Sequence, residues 1–340
     1  MSSKQTIFVS EISYAKGEDV FTKLSAETDF EFVSVPEETN ELASLIQEQG
    51  VKGFIADVYP YHDETLYQAF PEGSVISRFG VGHDSIDKEK ATAAGITVCN
   101  TPGVLNTSVK EQAVWMIGSL ARNVVSLDRS MRRKEWEPVR GVEVQGKTLA
   151  ILGFGRIGQD ICKAVHHGLG MKVVGYDMFD QEQFCKFAKV DTFAEFQQQV
   201  PVERITTDIE DAVKDADFVL MMMAVTPETV GLANKELFSM MRDDAYFLNT
   251  ARGALVNEND LYDALTEGDI AGAALDVFIV EPYEPQDPAK DLRTLENLVL
   301  TPHIASNTAE TNAAMATTSA HNVMTVLSQG ADACANVVNK

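Results

Sequence analysis

Residues 148–165 read "TLAILGFGRIGQDICKAV" and give the clearest indication of the fold. An apolar run typical of a buried strand leads into Gly153, Gly155 and Gly158, and a helix-compatible segment follows. Glycines at this spacing permit a tight turn and let the backbone approach a pyrophosphate, whose charge then lies on the free N–H groups of the helix. The spacing alone is a weak signal, and its place between strand and helix gives it weight.

A carboxylate ends the next predicted strand. The run "KVVGYD" closes on Asp177, which comes 19 residues after Gly158, and a carboxylate there can accept both hydroxyl groups of an adenosine ribose. The same charge would repel a 2′-phosphate. The alternative is a glycine turn of another α/β protein with an aspartate on its surface. Strand, loop, helix and acid together favour a dinucleotide-binding domain that prefers NAD to NADP.

Apolar runs alternate with helix-compatible segments along the whole chain. A first series contains "TIFVS", "FEFVSV", "GFIAD", "SVISRFG" and "ITVCN", and a second series begins at "KTLAILG" and ends at "NLVLTPH". Such alternation is typical of a parallel sheet covered by helices. The sequence therefore predicts an α/β fold with two doubly wound parallel sheets.

Helical patterns lie between the two series and after the second. Residues 101–136 read as a long helical segment that opens after a Pro-Gly turn, which places the domain crossing near residue 104. The segment "TNAAMATTSAHNVMTVLSQG" is also helical, and it can return to the first domain. We predict a discontinuous substrate domain, residues 1–104 with 305–340, and a dinucleotide-binding domain, residues 105–304. The long connection 178–207 has no role that the sequence indicates.

Composition narrows the class of partner. The chain of 340 residues has 28 basic and 51 acidic residues and a net charge of −23 at pH 7, which repels phosphate backbones and anionic lipid headgroups. We therefore expect neither nucleic acid nor membrane partners. The four cysteines have neither metal-like nor CxxC spacing, and the N-terminal apolar run is too short for a signal peptide. Reduced thiols, no metal and a cytoplasmic location are expected.

Three charged or titratable residues follow predicted strands of the second series. Arg252 comes after "AYFLNTA", Glu281 after "ALDVFIV" and His303 after "LVLTP". Ligands of open parallel sheets bind beyond the carboxyl ends of the strands, so the three side chains are expected at the edge that would hold the dinucleotide. Each alone has a structural interpretation as an ordinary strand-end residue. Their convergence on one edge favours an active site.

The three residue types suit the oxidation of a 2-hydroxy acid. That reaction needs a hydride acceptor, a base for the hydroxyl proton and a cation for the carboxylate. NAD would take the hydride, and a histidine such as His303 suits the proton because imidazole titrates near neutral pH. Glu281 would orient the ring and favour imidazolium. The planar fork of Arg252 would bind the carboxylate and polarise the 2-oxo oxygen.

Seven segments resemble the D-isomer-specific 2-hydroxyacid dehydrogenases, and they occur in that family's order over nearly the whole chain. They are "FGVGHDSID", "GITVCNTPGV", "SVKEQA", "ILGFGRIGQ", "LNTARGALVNENDLYDAL", "GAALDVFIVEP" and "LTPHIAS". The resemblance implies a Rossmann NAD-binding domain inserted into a flavodoxin-like substrate domain. It also implies interconversion of a small D-2-hydroxy acid and its 2-oxo acid, and a homodimer formed through the long helices of the cofactor domain.

The resemblance assigns roles residue by residue. The family's arginine, glutamate and histidine fall on Arg252, Glu281 and His303, and Asp177 matches its ribose acid. The family's phosphate-binding loop falls on Gly153, Gly155, Arg156, Ile157 and Gly158. Backbone N–H groups of Val81 and Gly82 are implied to hold the substrate carboxylate. The residues implied to line the cofactor cleft are Thr107, Thr250 and Asp276, the last of them meeting the nicotinamide amide.

The chain departs from the family pattern in two places. Ala224 and Val225 stand where members often have proline before the "TPET" segment, and the connection after Asp177 is longer than usual. The first departure bears on the loop against the adenosine or pyrophosphate, and the second bears on adenine packing. His83 lies in the presumed substrate loop; contact with the side chain of the 2-oxo acid is one interpretation of it, and a structural role is the one we favour.

Two other functions remain open. A formate or phosphite dehydrogenase would share the fold and cofactor, but formate enzymes pair the histidine with glutamine, so Glu281 argues against that activity. The second is an NAD-sensing corepressor or scaffold, which can keep the same three residues. Oxidation of NADH with a panel of 2-oxo acids would separate these functions from a 2-hydroxyacid dehydrogenase.

Overall fold

The computed structural model describes residues 4–58 and 62–340. It divides into two compact units, Met1–Leu105 with Ser306–Lys340 and Asn106–Ala305. Each boundary lies one residue beyond the predicted one. The second unit is thus an insertion, in sequence, between the two parts of the first.

Strands and helices alternate in both units. The strands are β1 Gln5–Ser10, β2 Phe30–Val35, β3 Gly53–Ala56, β4 Val75–Arg78, β5 Thr97–Cys99, β6 Thr148–Leu152, β7 Lys172–Tyr176, β8 Arg204–Thr206, β9 Phe218–Met221, β10 Tyr246–Asn249, β11 Gly272–Leu275 and β12 Leu298–Leu300. The helices are α1 Glu11–Glu27, α2 Thr39–Gln49, α3 Glu64–Ala69, α4 Lys88–Ala93, α5 Asn106–Ala121, α6 Val124–Arg132, α7 Arg156–Leu169, α8 Gln181–Ala188, α9 Phe193–Gln199, α10 Ile209–Val213, α11 Lys235–Met240, α12 Glu258–Glu267 and α13 Ala309–Gln329.

The first unit has a parallel sheet in the order β2-β1-β3-β4-β5, which is the flavodoxin-like order. Its strands coincide with the first series of apolar runs. The C-terminal helix α13 belongs to this unit and lies close against the sheet, because a Cβ at Gly53 would come within 2.6 Å of Val323 Cγ1. Asn322 Nδ2 also donates to the carbonyl of Asn100 at 2.8 Å. The helix therefore completes the first sheet's cover.

The second unit has a parallel sheet in the order β12-β11-β10-β9-β6-β7-β8. Counted from β6, this is the doubly wound dinucleotide-binding order with one additional strand, and the order reverses between β6 and β9. Its central strands are buried on both faces, with Phe218, Phe247 and Leu248 fully buried. The predicted fold class, two doubly wound parallel sheets with a Rossmann unit inserted into a flavodoxin-like unit, is confirmed.

Two segments differ from the sequence interpretation. The connection 178–207 forms α8, α9 and the edge strand β8, which escaped prediction because only Ile205 of its three residues is buried. The long helical pattern 101–136 is two helices, α5 and α6. The chain breaks at Asn123, which takes the left-handed conformation with φ 52°.

The described ranges 4–58 and 62–340 contain no helix with the length and hydrophobicity that a bilayer crossing requires. In the same ranges, no group of three or more His, Cys, Asp or Glu side chains could hold a metal ion. All four cysteines are free and buried. The cytoplasmic location stays a prediction.

Candidate active site

The loop after β6 contains three glycines, of which one has space for a side chain and the other two do not. Gly153 has φ 100°, and a Cβ there would lie 2.7 Å from the carbonyl carbon of Met222, at the end of β9. A Cβ at Gly158 would lie 2.7 Å from the carbonyl oxygen of Gly153. Gly155 faces open space and begins α7 without a side-chain cap, so the first N–H groups of the helix are available to an anion. These residues fit the pyrophosphate of a dinucleotide.

Asp177 follows β7 and is bonded to the glycine loop. Its Oδ2 accepts the N–H of Phe154 at 2.9 Å, and its Oδ1 accepts the N–H of Phe179 at 3.3 Å. Each carboxylate oxygen keeps a further acceptor site for a ribose hydroxyl. Arg156 and Ile157 are the first two residues of α7, which directly follows the glycine loop. The cofactor-facing residues predicted on β6, α7 and β7 therefore lie together.

His303 and Glu281 form a close pair at the carboxyl edge of the second sheet. The Nδ1 of His303 lies 2.6 Å from Oε2 of Glu281, and the two side chains are 23% and 13% exposed. Glu281 Oε1 accepts the N–H of Phe278 at 2.9 Å, which fixes the carboxylate. With Nδ1 held by this contact, Nε2 is the nitrogen left to exchange a proton with a substrate.

Asp276 is fully buried and binds the turn that carries the histidine. Its carboxylate accepts the hydroxyl of Thr301 and the N–H groups of Ile304 and Ala305, and its carbonyl accepts the N–H of His303 at 2.7 Å. Burial raises the pKa of the Asp276 carboxyl, and these bonds oppose the rise. The backbone of His303 has φ 51°, a value that residues other than glycine rarely adopt, and these hydrogen bonds hold it in that conformation. The predicted contact of Asp276 with the nicotinamide amide stays a prediction.

Arg252 lies in the turn after β10, and its Nη1 donates to the carbonyl of Ala251 at 2.8 Å. The buried side chain of Asn249 closes this turn: its Nδ2 donates to the carbonyl of Arg252, and its Oδ1 accepts the N–H of Ala251. A Cβ at Gly253 would lie 1.9 Å from the carbonyl carbon of Phe278. The turn that presents Arg252 and the turn that leads to Glu281 are therefore in direct backbone contact.

The remaining predicted residues occupy the ends of other elements. Thr250 is buried directly after β10, and Thr107 is exposed in the first turn of α5. In the first unit, Val81 and Gly82 follow β4, and the carbonyl of Val81 accepts Nδ2 of Asn100 at 2.8 Å. The roles of these residues stay predictions.

Sequence reasoning missed polar residues that support the predicted ones. Asn249 was a detectable signal, because it is a polar residue at the end of the apolar run "YFL". Gln112 gave no signal beyond its place in "SVKEQA". Its Nε2 donates to Oγ1 of Thr301, which in turn bonds to Asp276. The histidine turn is thus braced from α5 as well as from β11.

Comparison with known proteins shows the family of this chain. The family model described as D-isomer specific 2-hydroxyacid dehydrogenase, NAD binding domain, matches residues 114–305. A glyoxylate reductase of Korarchaeum cryptofilum is 37% identical over 77% of this chain and 75% of its own length. One of Pyrococcus furiosus is 35% identical over 88% of this chain and 86% of its own length.

A solved structure has the same fold over nearly the whole chain. It is an NADPH-dependent glyoxylate/hydroxypyruvate reductase of Sinorhizobium meliloti in complex with NADP and malonate. It is 25% identical with a TM-score of 0.79, over 96% of this chain and 95% of that one. The chain therefore belongs to the D-isomer specific 2-hydroxyacid dehydrogenases and is an NAD-dependent oxidoreductase of that family.

Proposed function

We propose that this enzyme reduces small 2-oxo acids, glyoxylate and hydroxypyruvate among them, to D-2-hydroxy acids with NADH, and catalyses the reverse oxidation. The names of its relatives support the substrate class. The observation that carries the proposal is the 2.6 Å contact between Nδ1 of His303 and Oε2 of Glu281 at the edge of the dinucleotide-binding sheet.

Each of the three residues has one task in the proposed mechanism. The bound nicotinamide supplies the hydride in reduction and takes it in oxidation. Arg252 binds the substrate carboxylate and polarises the 2-oxo oxygen. His303 donates a proton from Nε2 to that oxygen as negative charge develops on it, and takes the proton back in oxidation. Glu281 holds the ring in place through its contact with Nδ1.

A residue outside this set bears on the choice of cofactor. Asp177 binds the adenosine ribose and selects NAD. Its half-buried carboxylate, already turned to the glycine loop, would lie against a 2′-phosphate, and like charges repel. The Sinorhizobium relative is NADPH-dependent, so membership of the family does not by itself fix the choice between NAD and NADP. The proposed preference of this chain for NAD therefore rests on Asp177.

A homodimer is part of the proposal. Large apolar side chains are exposed on neighbouring helices, with Trp115 of α5 71% exposed, and Val124 and Met131 of α6 52% and 54% exposed. Exposed apolar groups of this kind mark interaction surfaces in soluble proteins. Light scattering after size exclusion should give twice the chain mass. Met131→Glu should reduce it to one chain, and a monomeric unmodified protein would contradict the dimer.

The test of the function is a substrate panel. NADH absorbance is followed with glyoxylate, hydroxypyruvate, pyruvate and longer 2-oxo acids, and the configuration of the product is determined. We expect turnover and a D-product. Formate and phosphite with NAD are the controls for the related activities. Binding of NADH without turnover of any 2-oxo acid would contradict the proposal and favour a corepressor or scaffold.

A further inference from the structure

Glu258 is buried where a glutamate is usually solvated. It is the first residue of α12, and only 3% of it is exposed. The cap of this helix is provided by Asn257, whose side-chain oxygen accepts the N–H groups of Asn259 and Asp260. Glu258 is therefore not needed to cap its own helix. Burying a carboxyl group is unfavourable unless it is hydrogen-bonded, so its partners indicate its use.

The carboxyl group of Glu258 binds the turn that carries Glu281. Its Oε1 accepts the N–H of Ile279 at 2.8 Å, and its buried Oε2 has no hydrogen-bond partner among the described residues. The preceding N–H, that of Phe278, donates to Glu281 at 2.9 Å. Two consecutive N–H groups of one turn thus bind two carboxyl groups, one of which contacts His303. Burial raises the pKa of the Glu258 carboxyl, and the nearby charge of Glu281 adds to the rise.

The turn has little freedom once these bonds are made. The backbone of Gly253 lies directly against Phe278 and Ile279, at distances that leave no space for a methyl group. Without the acceptor on Glu258, the N–H of Ile279 would have to find another partner, and the turn would rotate. Glu281 lies two residues further on, so the rotation would move its carboxylate away from Nδ1 of His303.

We propose that Glu258 is a positioning residue of the active site, which holds the N–H of Ile279 and so fixes the turn from which Glu281 orients His303. This inference rests on the proposed function, in which Glu281 and His303 act on the proton. The hydrogen bond of Glu258 is to the turn and not to Glu281 or His303. Its effect must therefore pass through Glu281, and this separates the proposal from a role in stability alone.

The experiment compares four single variants and one double variant of the full-length protein, with glyoxylate and NADH as reactants. Glu258→Ala removes the acceptor and should lower kcat by about tenfold to a hundredfold, with little change in KM or in NADH affinity. Glu258→Gln keeps an amide oxygen for the N–H of Ile279 and should restore kcat. The control is Glu267→Ala, which truncates an exposed glutamate at the other end of α12 and should leave kcat unchanged.

The decisive measurement is Glu258→Ala in a Glu281→Ala background. If Glu258 acts through Glu281, the double variant has the kcat of Glu281→Ala alone. The inference is overturned if Glu258→Ala lowers kcat in the Glu281→Ala background by the same factor as in the unmodified protein. It is also overturned if Glu258→Ala alone has a normal kcat. If Glu258→Ala does not fold, Glu258→Asp retracts the acceptor by one methylene group and enters the same comparison. A normal kcat in Glu281→Ala would instead remove the proposed function, and this inference with it.

Discussion

Gly253→Ala should disable the enzyme while the protein stays folded. A Cβ at this position would lie 1.9 Å from the carbonyl carbon of Phe278, 2.0 Å from its oxygen and 2.4 Å from the nitrogen of Ile279. All three atoms that the Cβ would meet are backbone atoms, so rotation of a side chain cannot relieve the clash. Arg252 precedes the substituted residue and Glu281 follows the contacted turn, so any relief of the clash displaces the proposed catalytic groups relative to each other.

The size of the effect follows from the missing space. Ordinary contact of a Cβ begins near 3.4 Å, so the two turns must separate by about 1.5 Å. A misplacement of ~1 Å at reacting groups can lower a rate by ~10²-fold, so we expect kcat/KM for glyoxylate to fall by about that factor. Overpacking of this kind destabilises by about 1–3 kcal/mol, which a domain of this size tolerates.

The assay is steady-state NADH oxidation, with NADH fluorescence titration and thermal unfolding on the same samples. The matched control is Gly168→Ala in α7, where a Cβ meets nothing within 4 Å. It should keep the unmodified rate and unfold at an equal or higher temperature, because alanine is favoured over glycine in helices by about 0.5–1 kcal/mol. A Gly253→Ala enzyme with an unmodified rate would show that contact between the turns does not set the catalytic geometry.

Four further predictions concern the proposed site. His303→Asn should lower kcat by ~10²–10⁴ without weakening NADH binding. Near-normal turnover would mean that another group donates the proton. Glu281→Gln should lower kcat without weakening NADH binding, because an amide is a weaker acceptor for Nδ1 of His303 than a carboxylate; an unchanged kcat would separate Glu281 from the histidine. Arg252→Lys should weaken 2-oxo acid turnover but not NADH binding, because one ammonium cannot replace the planar fork, and a parallel loss of NADH affinity would place the arginine with the cofactor. Asp177→Ala should narrow a preference for NADH over NADPH measured as kcat/KM, and equal values in the unmodified enzyme would contradict the assignment.

The strands were predictable where burial covers both faces. The runs that became β6 and β9 are continuous and apolar because helices cover both sides of a parallel sheet, so each strand is visible without its neighbours. β8 is an edge strand of three residues with one buried side chain, and its sequence resembles a loop. The break at Asn123 was not predicted, because the residues on both sides of it have a helical pattern.

Features that depend on spacing along the chain could be predicted without the structure. The glycine loop, the acid after β7 and the strand-end positions of Arg252, Glu281 and His303 are of this kind, because a strand followed by a helix places such residues at one edge. Which side chains contact each other became known from the folded structure. Asp276 binds the histidine turn from the neighbouring strand, and Glu258 binds the Glu281 turn from a helix more than 20 residues away. Those contacts depend on strand order and on close packing between elements, and neither quantity is a property of any local stretch of sequence.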